Sequence, residues 1–256
     1  MTGSGVSLLF RGSASLSRLV GHGNSSTARA PMAEGTTDPD RNWLRVAMES
    51  TNPISDSDVH SIILSYLMHN CFKETAETFL SCTGMSQPVD YFVDMDKRKK
   101  IIHYAVEGNA LKAIELTEQL VPNLLEDNKD LHFDLLSLHF IDLVRSKNSN
   151  EALEFAQTKL VPFGNTAKYV EKLKEFVTLF AYEEPEKSPI FHLLSPEYRE
   201  NVADSLNRAI LGCANLPSYS SMERLIQQVT VVRHFLHQEL GKDGPPPFSL
   251  KAFLNN

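Results

Sequence analysis

The side chains in this chain best suited to chemistry are nine histidines, three cysteines and a scatter of 32 acidic residues, and their spacing argues against a catalytic or metal centre. His132 with His139, and His234 with His237, are the pairs at helical spacing that could share a ligand. A metal site needs further donors, and neither pair has a third Cys, His or carboxylate at tight local spacing, so both read as structural histidines. Cys71, Cys82 and Cys213 are odd in number, form no Cys-x-x-Cys pair and sit within apolar patterns; they are expected to be reduced core thiols of a cytosolic or nuclear protein. No glycine-rich phosphate loop, Gly-x-Ser-x-Gly elbow or His-Glu-x-x-His helix occurs. The carboxylates are dispersed as on solvent faces, with no acid and base pair. Neither a catalytic residue nor a metal or other cofactor is expected. The basic run Lys97-Arg98-Lys99-Lys100 reads either as a nuclear import signal or as the solvated opening of an amphipathic helix.

The chain has 256 residues, 42% hydrophobic and 22% charged, with net charge -7, which suits one large or two small globular domains able to bury a core. An acidic balance with no basic stripe is the wrong field for phosphate backbones, so nucleic acid is not an expected partner. No apolar run approaches the roughly 18 residues of a membrane span. Residues 1–33 differ from the rest: Arg11, Arg18 and Arg29 stand with seven serines and no acidic residue, giving +3 and leaving -10 on the remainder. That composition suits either a transit-like targeting segment or a disordered extension ahead of a functional start at Met32; since nothing in the body serves an organelle, cytoplasm and nucleus are the expected locations. Residues 1–54 thus read as extension plus linker.

The elements that must position any surface are helices. Val59, Ile62, Ile63, Tyr66 and Leu67 recur at i, i+3, i+4, i+7 and i+8, with Ser55 or Ser57 as cap. A second short helix carries Phe72, Ala76, Phe79 and Leu80 up to Gly84. Such a hairpin cannot bury both faces alone. It must pair with another copy or pack on its own downstream helices, and the pattern leaves both open. Helices follow over about 97–107, 110–120 (capped by Asn109), 129–145, 150–161, 166–182, 196–211 and 221–240, before Pro245-Pro246-Pro247. Ala113-Ile114-Glu115-Leu116 with Gln119-Leu120-Val121-Pro122 recurs as Ala152-Leu153-Glu154-Phe155 with Lys159-Leu160-Val161-Pro162, one residue longer, as in stacked helix pairs. The expected fold is all-α.

Ser65-Tyr66-Leu67-Met68-His69-Asn70-Cys71-Phe72, followed by Ala76-Glu77-Thr78-Phe79, resembles the LisH motif, with Cys71 where that family usually has glycine. Glu107-Gly108-Asn109-Ala110-Leu111-Lys112-Ala113-Ile114 and Leu131-His132-Phe133-Asp134-Leu135 resemble a CTLH segment, and Glu151 to Leu160 resembles a CRA region. The resemblance implies a LisH hairpin over 55–88, CTLH over 94–151 and CRA over 152–240, ahead of the Pro-rich tail over 241–256 that Pro245-Pro246-Pro247 marks. It implies a non-catalytic scaffold of a GID/CTLH-type ubiquitin ligase serving proteasomal degradation. The implied partners are other LisH-CTLH-CRA subunits, including RING-bearing ones, and armadillo-repeat and substrate-receptor subunits, in a homo- or hetero-oligomer. An alternative is a RanBPM-like adapter in microtubule or small-GTPase-linked complexes. LisH dimer contacts would fall on Ile62, Ile63, Tyr66, Leu67, Phe72, Ala76 and Phe79.

Overall fold

A computed structural model of the chain describes residues 54–86, 94–241 and 244–254; the basic extension and the linker expected over 1–54 lie outside these, Ile54 apart. Every regular element among the described residues is helical, as the periodicity predicts. Helix α1 (Asp56–His69) starts at a capping box: the Ser55 hydroxyl accepts the Asp58 N–H, and the Asp58 carboxylate accepts the Ser55 N–H. It ends where Cys71 takes a left-handed φ of 58° and the Phe72 N–H reaches back to the Leu67 carbonyl at 2.9 Å. Asn70, the other candidate for that conformation, keeps φ at -88°. Helix α2 (Lys73–Thr83) then folds back along α1 and stops at Gly84.

Cys71 is 1% exposed and packs with Leu64, Leu67, Met68, Ala76, Leu80 and Met95, so a side chain that tolerates φ > 0 poorly is held there by the hairpin core. Cys71→Val adds a β-branched side chain to a left-handed position and should lower stability by about 1–3 kcal/mol in urea unfolding. Cys71→Gly relieves the backbone, loses the buried sulfur and should change stability less. Cys82 and Cys213, expected in the core, are exposed. Each lies near the end of its helix, where the apolar pattern continues past the packed face.

The body is built around α6 (Lys129–Arg145), buried on most of its circumference through Leu131, Phe133, Leu135, Leu136, Leu138, Phe140, Ile141, Leu143 and Val144. On one side lie α3 (Met95–Val106), α4 (Ala110–Leu120), the single turn α5 (Leu124–Asp127) and α9 (Pro196–Cys213), sharing a core with Ile101, Ala105, Ala113, Leu135 and Leu206. On the other lie α7 (Ser149–Phe155) and α8 (Ala167–Ala181), where Phe133 has Phe163, Tyr169 and Phe176 around it at ring-centroid distances of 5.3, 4.8 and 5.9 Å. The residue by which the second repeat-like copy exceeds the first falls in a π-helical turn, Ala156–Leu160, followed by a 3-10 turn, Val161–Asn165. A π-turn absorbs a single extra residue. Ala152 is buried as its counterpart Ala113 is, and Leu160 reaches 0% exposure where its counterpart Leu120 stays half-buried.

Helix α10 (Ser221–Leu240) begins at a second capping box, Ser220 with Glu223, and lies along α1. None of its 20 residues is buried. A short helix, α11 (Leu250–Leu254), follows the proline run.

Candidate protein–protein interaction site

Two features stand out once the cores are assigned: apolar residues left half-covered on the hairpin and α10, and a polar junction that fixes both to the body. Of the seven residues the LisH resemblance points to, Leu67 and Ala76 are buried within the chain's own hairpin, at 9% and 0% exposure. They therefore shape the hairpin and present little surface, because they sit on the helix faces where α1 and α2 meet. Ile62, Ile63, Tyr66, Phe72 and Phe79 remain half-buried, with Tyr66 and Phe72 in ring contact at 6.2 Å and Phe79 edge-on to His60 at 5.6 Å. Val59, at the start of the same stripe, is 43% exposed.

Helix α10 extends that surface, which the hairpin pattern alone did not indicate. Its half-covered side chains follow Met222, Ile226, Val229, Arg233 and Leu236, while Leu225 and Val232 at the edge of that stripe and Val231 and Phe235 on the far side are 42–55% exposed. The signal was present in the sequence as apolar residues on both sides of one helix. A smaller apolar groove runs between the 3-10 turn after α7 and helix α8, lined by Val161, Val170, Leu173 and Val177.

At the junction, Arg98 corrects an expectation. Taken as part of a solvated basic run, it is 2% exposed. Its guanidinium donates to the carbonyls of Met68 (3.1 Å) and His69 (3.3 Å) at the C-terminus of α1 and to Asn207 Oδ1 (2.6 Å) on α9. The reason is periodicity: Arg98 falls on the inward face of α3 with Met95, Ile101 and Ala105. The flanking lysines do face solvent, and Lys97 pairs with Asp94 and Lys99 with Glu74 of α2. The Asn207 amide donates to the His69 carbonyl at 3.0 Å.

Beside this fork, His69 of α1, Asp204 and Arg208 of α9 and Glu223 of α10 meet. Nη2 of Arg208 pairs with Asp204 at 2.6 Å and Glu223 at 3.2 Å, and its guanidinium lies 4.3 Å from the Tyr219 ring. His69 Nε2 is 3.6 Å from the Glu223 carboxylate, beyond hydrogen-bond range. Burial holds the His69 imidazole below its ordinary value, against the pull of Glu223, and burial pushes Asp204 up to about 6 against the pull of Arg208. The signs oppose. Asp204 favours the folded state below about pH 4 and loses that contribution as pH rises through 6, whereas neutral His69 favours it above about pH 6.5 and loses it on acidification. Asp204→Asn removes only the first effect, so its stability should fall more steeply than the parent's as pH drops from 6.5 to 5, in urea titrations at each pH.

The paired histidines singled out by spacing act separately. His132 stands edge-on to Phe163 and His139 to Phe155, at centroid distances of 5.8 and 4.7 Å, and burial lowers both imidazoles. His234 and His237 are exposed, the former 2.9 Å from Gln238.

Comparison with known proteins places this arrangement. Residues 94–237 match the family model of the CTLH/CRA C-terminal to LisH motif domain. The "Glucose-induced degradation protein 8 homolog" of Nematostella vectensis is 35% identical over 156 residues, spanning 60% of this chain and 69% of that protein. Its Dictyostelium discoideum counterpart is 34% identical over 160 residues, spanning 62% and 69%. The "Ran-binding protein M homolog" of Arabidopsis thaliana is 26% identical over 238 residues, spanning 85% of this chain and 50% of that protein. With more than half of its length matched from α3 through most of α10, the chain belongs to the family defined by the CTLH/CRA domain C-terminal to a LisH motif.

Proposed function

We propose that the chain is a non-catalytic scaffold subunit of a GID/CTLH-type multisubunit ubiquitin ligase, promoting proteasomal degradation by holding other subunits together. The observation that carries this reading is the half-covered apolar surface formed jointly by α1, α2 and α10, in a chain whose relatives carry glucose-induced degradation names. Apolar side chains left partly open on both sides of a long helix are the ordinary mark of a surface that another chain completes. RING-bearing, armadillo-repeat and substrate-receptor subunits are the proposed partners, and cytoplasm and nucleus the proposed locations.

Two measurements test the proposal. Tyr66→Ala with Phe72→Ala should shift the assembly to lower mass by light scattering while the far-ultraviolet dichroism stays helical; an unchanged mass for a folded variant removes the dimerisation role. Affinity purification of the full chain should recover RING-bearing and armadillo-repeat proteins. A second reading, an adapter of the RanBPM kind outside any ligase, is favoured by the 85% of this chain that aligns with the Ran-binding protein M homolog. Recovery of cytoskeletal or small-GTPase partners without a RING subunit is the result it predicts.

A further inference from the structure

His69 is 3% exposed, and among the described residues neither of its ring nitrogens has a hydrogen-bond partner. Buried imidazoles normally satisfy at least one nitrogen, so an unpaired one asks for a ligand. The neighbouring atoms are of a type to supply the rest of a site: one donor each from His69, Asp204 and Glu223 lie within 4.8 Å of one another, and they come from α1, α9 and α10. The two carboxylates share a single positive nitrogen, Nη2 of Arg208. We propose that His69, Asp204 and Glu223 form a zinc site that staples the hairpin and α10 to α9. One imidazole and two carboxylates match the nitrogen and oxygen preference of Zn²⁺ and leave a fourth tetrahedral position for water. The ion binds neutral His69 and both carboxylates without proton release from a thiol, and its two positive charges balance the two carboxylates.

Arg208 is the built-in competitor. Its guanidinium holds the same carboxylates, and Glu223 also accepts from the Ser220 N–H and hydroxyl at 2.8 Å. Metal entry requires Arg208 to give up its two ion pairs. Its side chain is 21% exposed and rests on the Tyr219 ring, so it has a route toward solvent and a surface to lie on. His69 Nε2 and the Glu223 carboxylate already stand 3.6 Å apart, and the donors, all within 4.8 Å of one another, must draw in further to share one tetrahedral ion.

The test uses the full chain, stripped with a chelator and titrated with zinc alone against a fluorescent zinc indicator. The expected result is one equivalent bound with micromolar affinity, a raised melting temperature at saturating zinc, and cobalt substitution giving tetrahedral visible bands without sulfur charge transfer. His69→Ala and the near-isosteric Asp204→Asn should each weaken binding at least about tenfold, and Arg208→Gln should tighten it. Helical dichroism of the variants separates loss of the site from loss of the fold, and Asp204→Asn keeps the question open to decision if His69→Ala fails to fold. No uptake by the parent protein overturns the proposal. So does equal binding by parent, His69→Ala and Asp204→Asn, which assigns the metal to exposed side chains such as Cys82 and Cys213.

Discussion

Replacing Arg98 by alanine is expected to lower stability by about 3–5 kcal/mol and to free the α1–α2 hairpin before the rest of the chain unfolds. A guanidinium at 2% exposure bonds here to two main-chain carbonyls and one side-chain amide, so its removal strips the fixed cation from the C-terminus of α1 and leaves Asn207 Oδ1 without that donor. The Asn207 amide on the His69 carbonyl, the Ser221 N–H on the Ser65 hydroxyl and the packing of α10 along α1 also tie the hairpin to the body, but none of them supplies a buried cation. Lys73–Asp96 and Lys99–Glu74 are exposed ion pairs that add little, and Met95 is the one residue of α3 buried in the hairpin core. Hydrogen exchange should therefore show residues 56–83 losing protection in the variant while α6 and α9 retain theirs. Arg98→Lys keeps the charge and cannot place two donors on Met68 and His69 while reaching Asn207, so it should recover less than half of the loss. Uniform loss of protection across all helices is the result that removes Arg98 from this role.

The same residue shows how far the sequence could be read. Helix spans followed closely from caps and apolar period: Ser55 and Asn109 each accept from a first-turn N–H, and α10 runs over the span that the pattern predicts. What resisted reading was the division of an apolar face between core and surface. Tyr66 and Leu67 are adjacent and similar in type, yet Leu67 is buried between α1 and α2 while Tyr66 stays half-covered beside α10. That choice is made by the crossing of helices far apart in sequence. The His69, Asp204, Arg208 and Glu223 cluster was likewise beyond reach, since 135 residues separate His69 from Asp204 and no local spacing links them. Arg98 was within reach, three residues before Ile101 and seven before Ala105, and composition of the basic run hid it. A charge counted by neighbourhood in sequence can face inward when counted by turn of helix.

Gly108→Ala should cost about 3 kcal/mol, and Gly84→Ala about 1 kcal/mol, although both glycines follow a helix with positive φ. Gly84 has φ 66°, and an added Cβ there meets nothing within 4 Å, so only the backbone resists it. Gly108 has φ 91° and is the middle of the three residues, Glu107 to Asn109, that join α3 to α4, with the Asn109 N–H reaching back to the Tyr104 carbonyl at 2.9 Å before Asn109 caps α4. Its Cβ would stand 2.8 Å from both Arg199 Nη1 and Asp142 Oδ2. Those atoms belong to a part-buried ion pair between α9 and α6, in which Asp142 Oδ2 has no hydrogen-bond partner among the described residues and burial raises the Asp142 carboxyl against the pull of Arg199. The methyl group must therefore push apart charges that have little water to receive them, a packing cost of about 1–3 kcal/mol on top of the backbone. Urea unfolding of the two variants side by side measures the difference. A glycine that also shortens the path between α3 and α4 sets how closely three helices approach, and equal losses in the two variants would mean that the Arg199–Asp142 pair yields freely and does not set that distance.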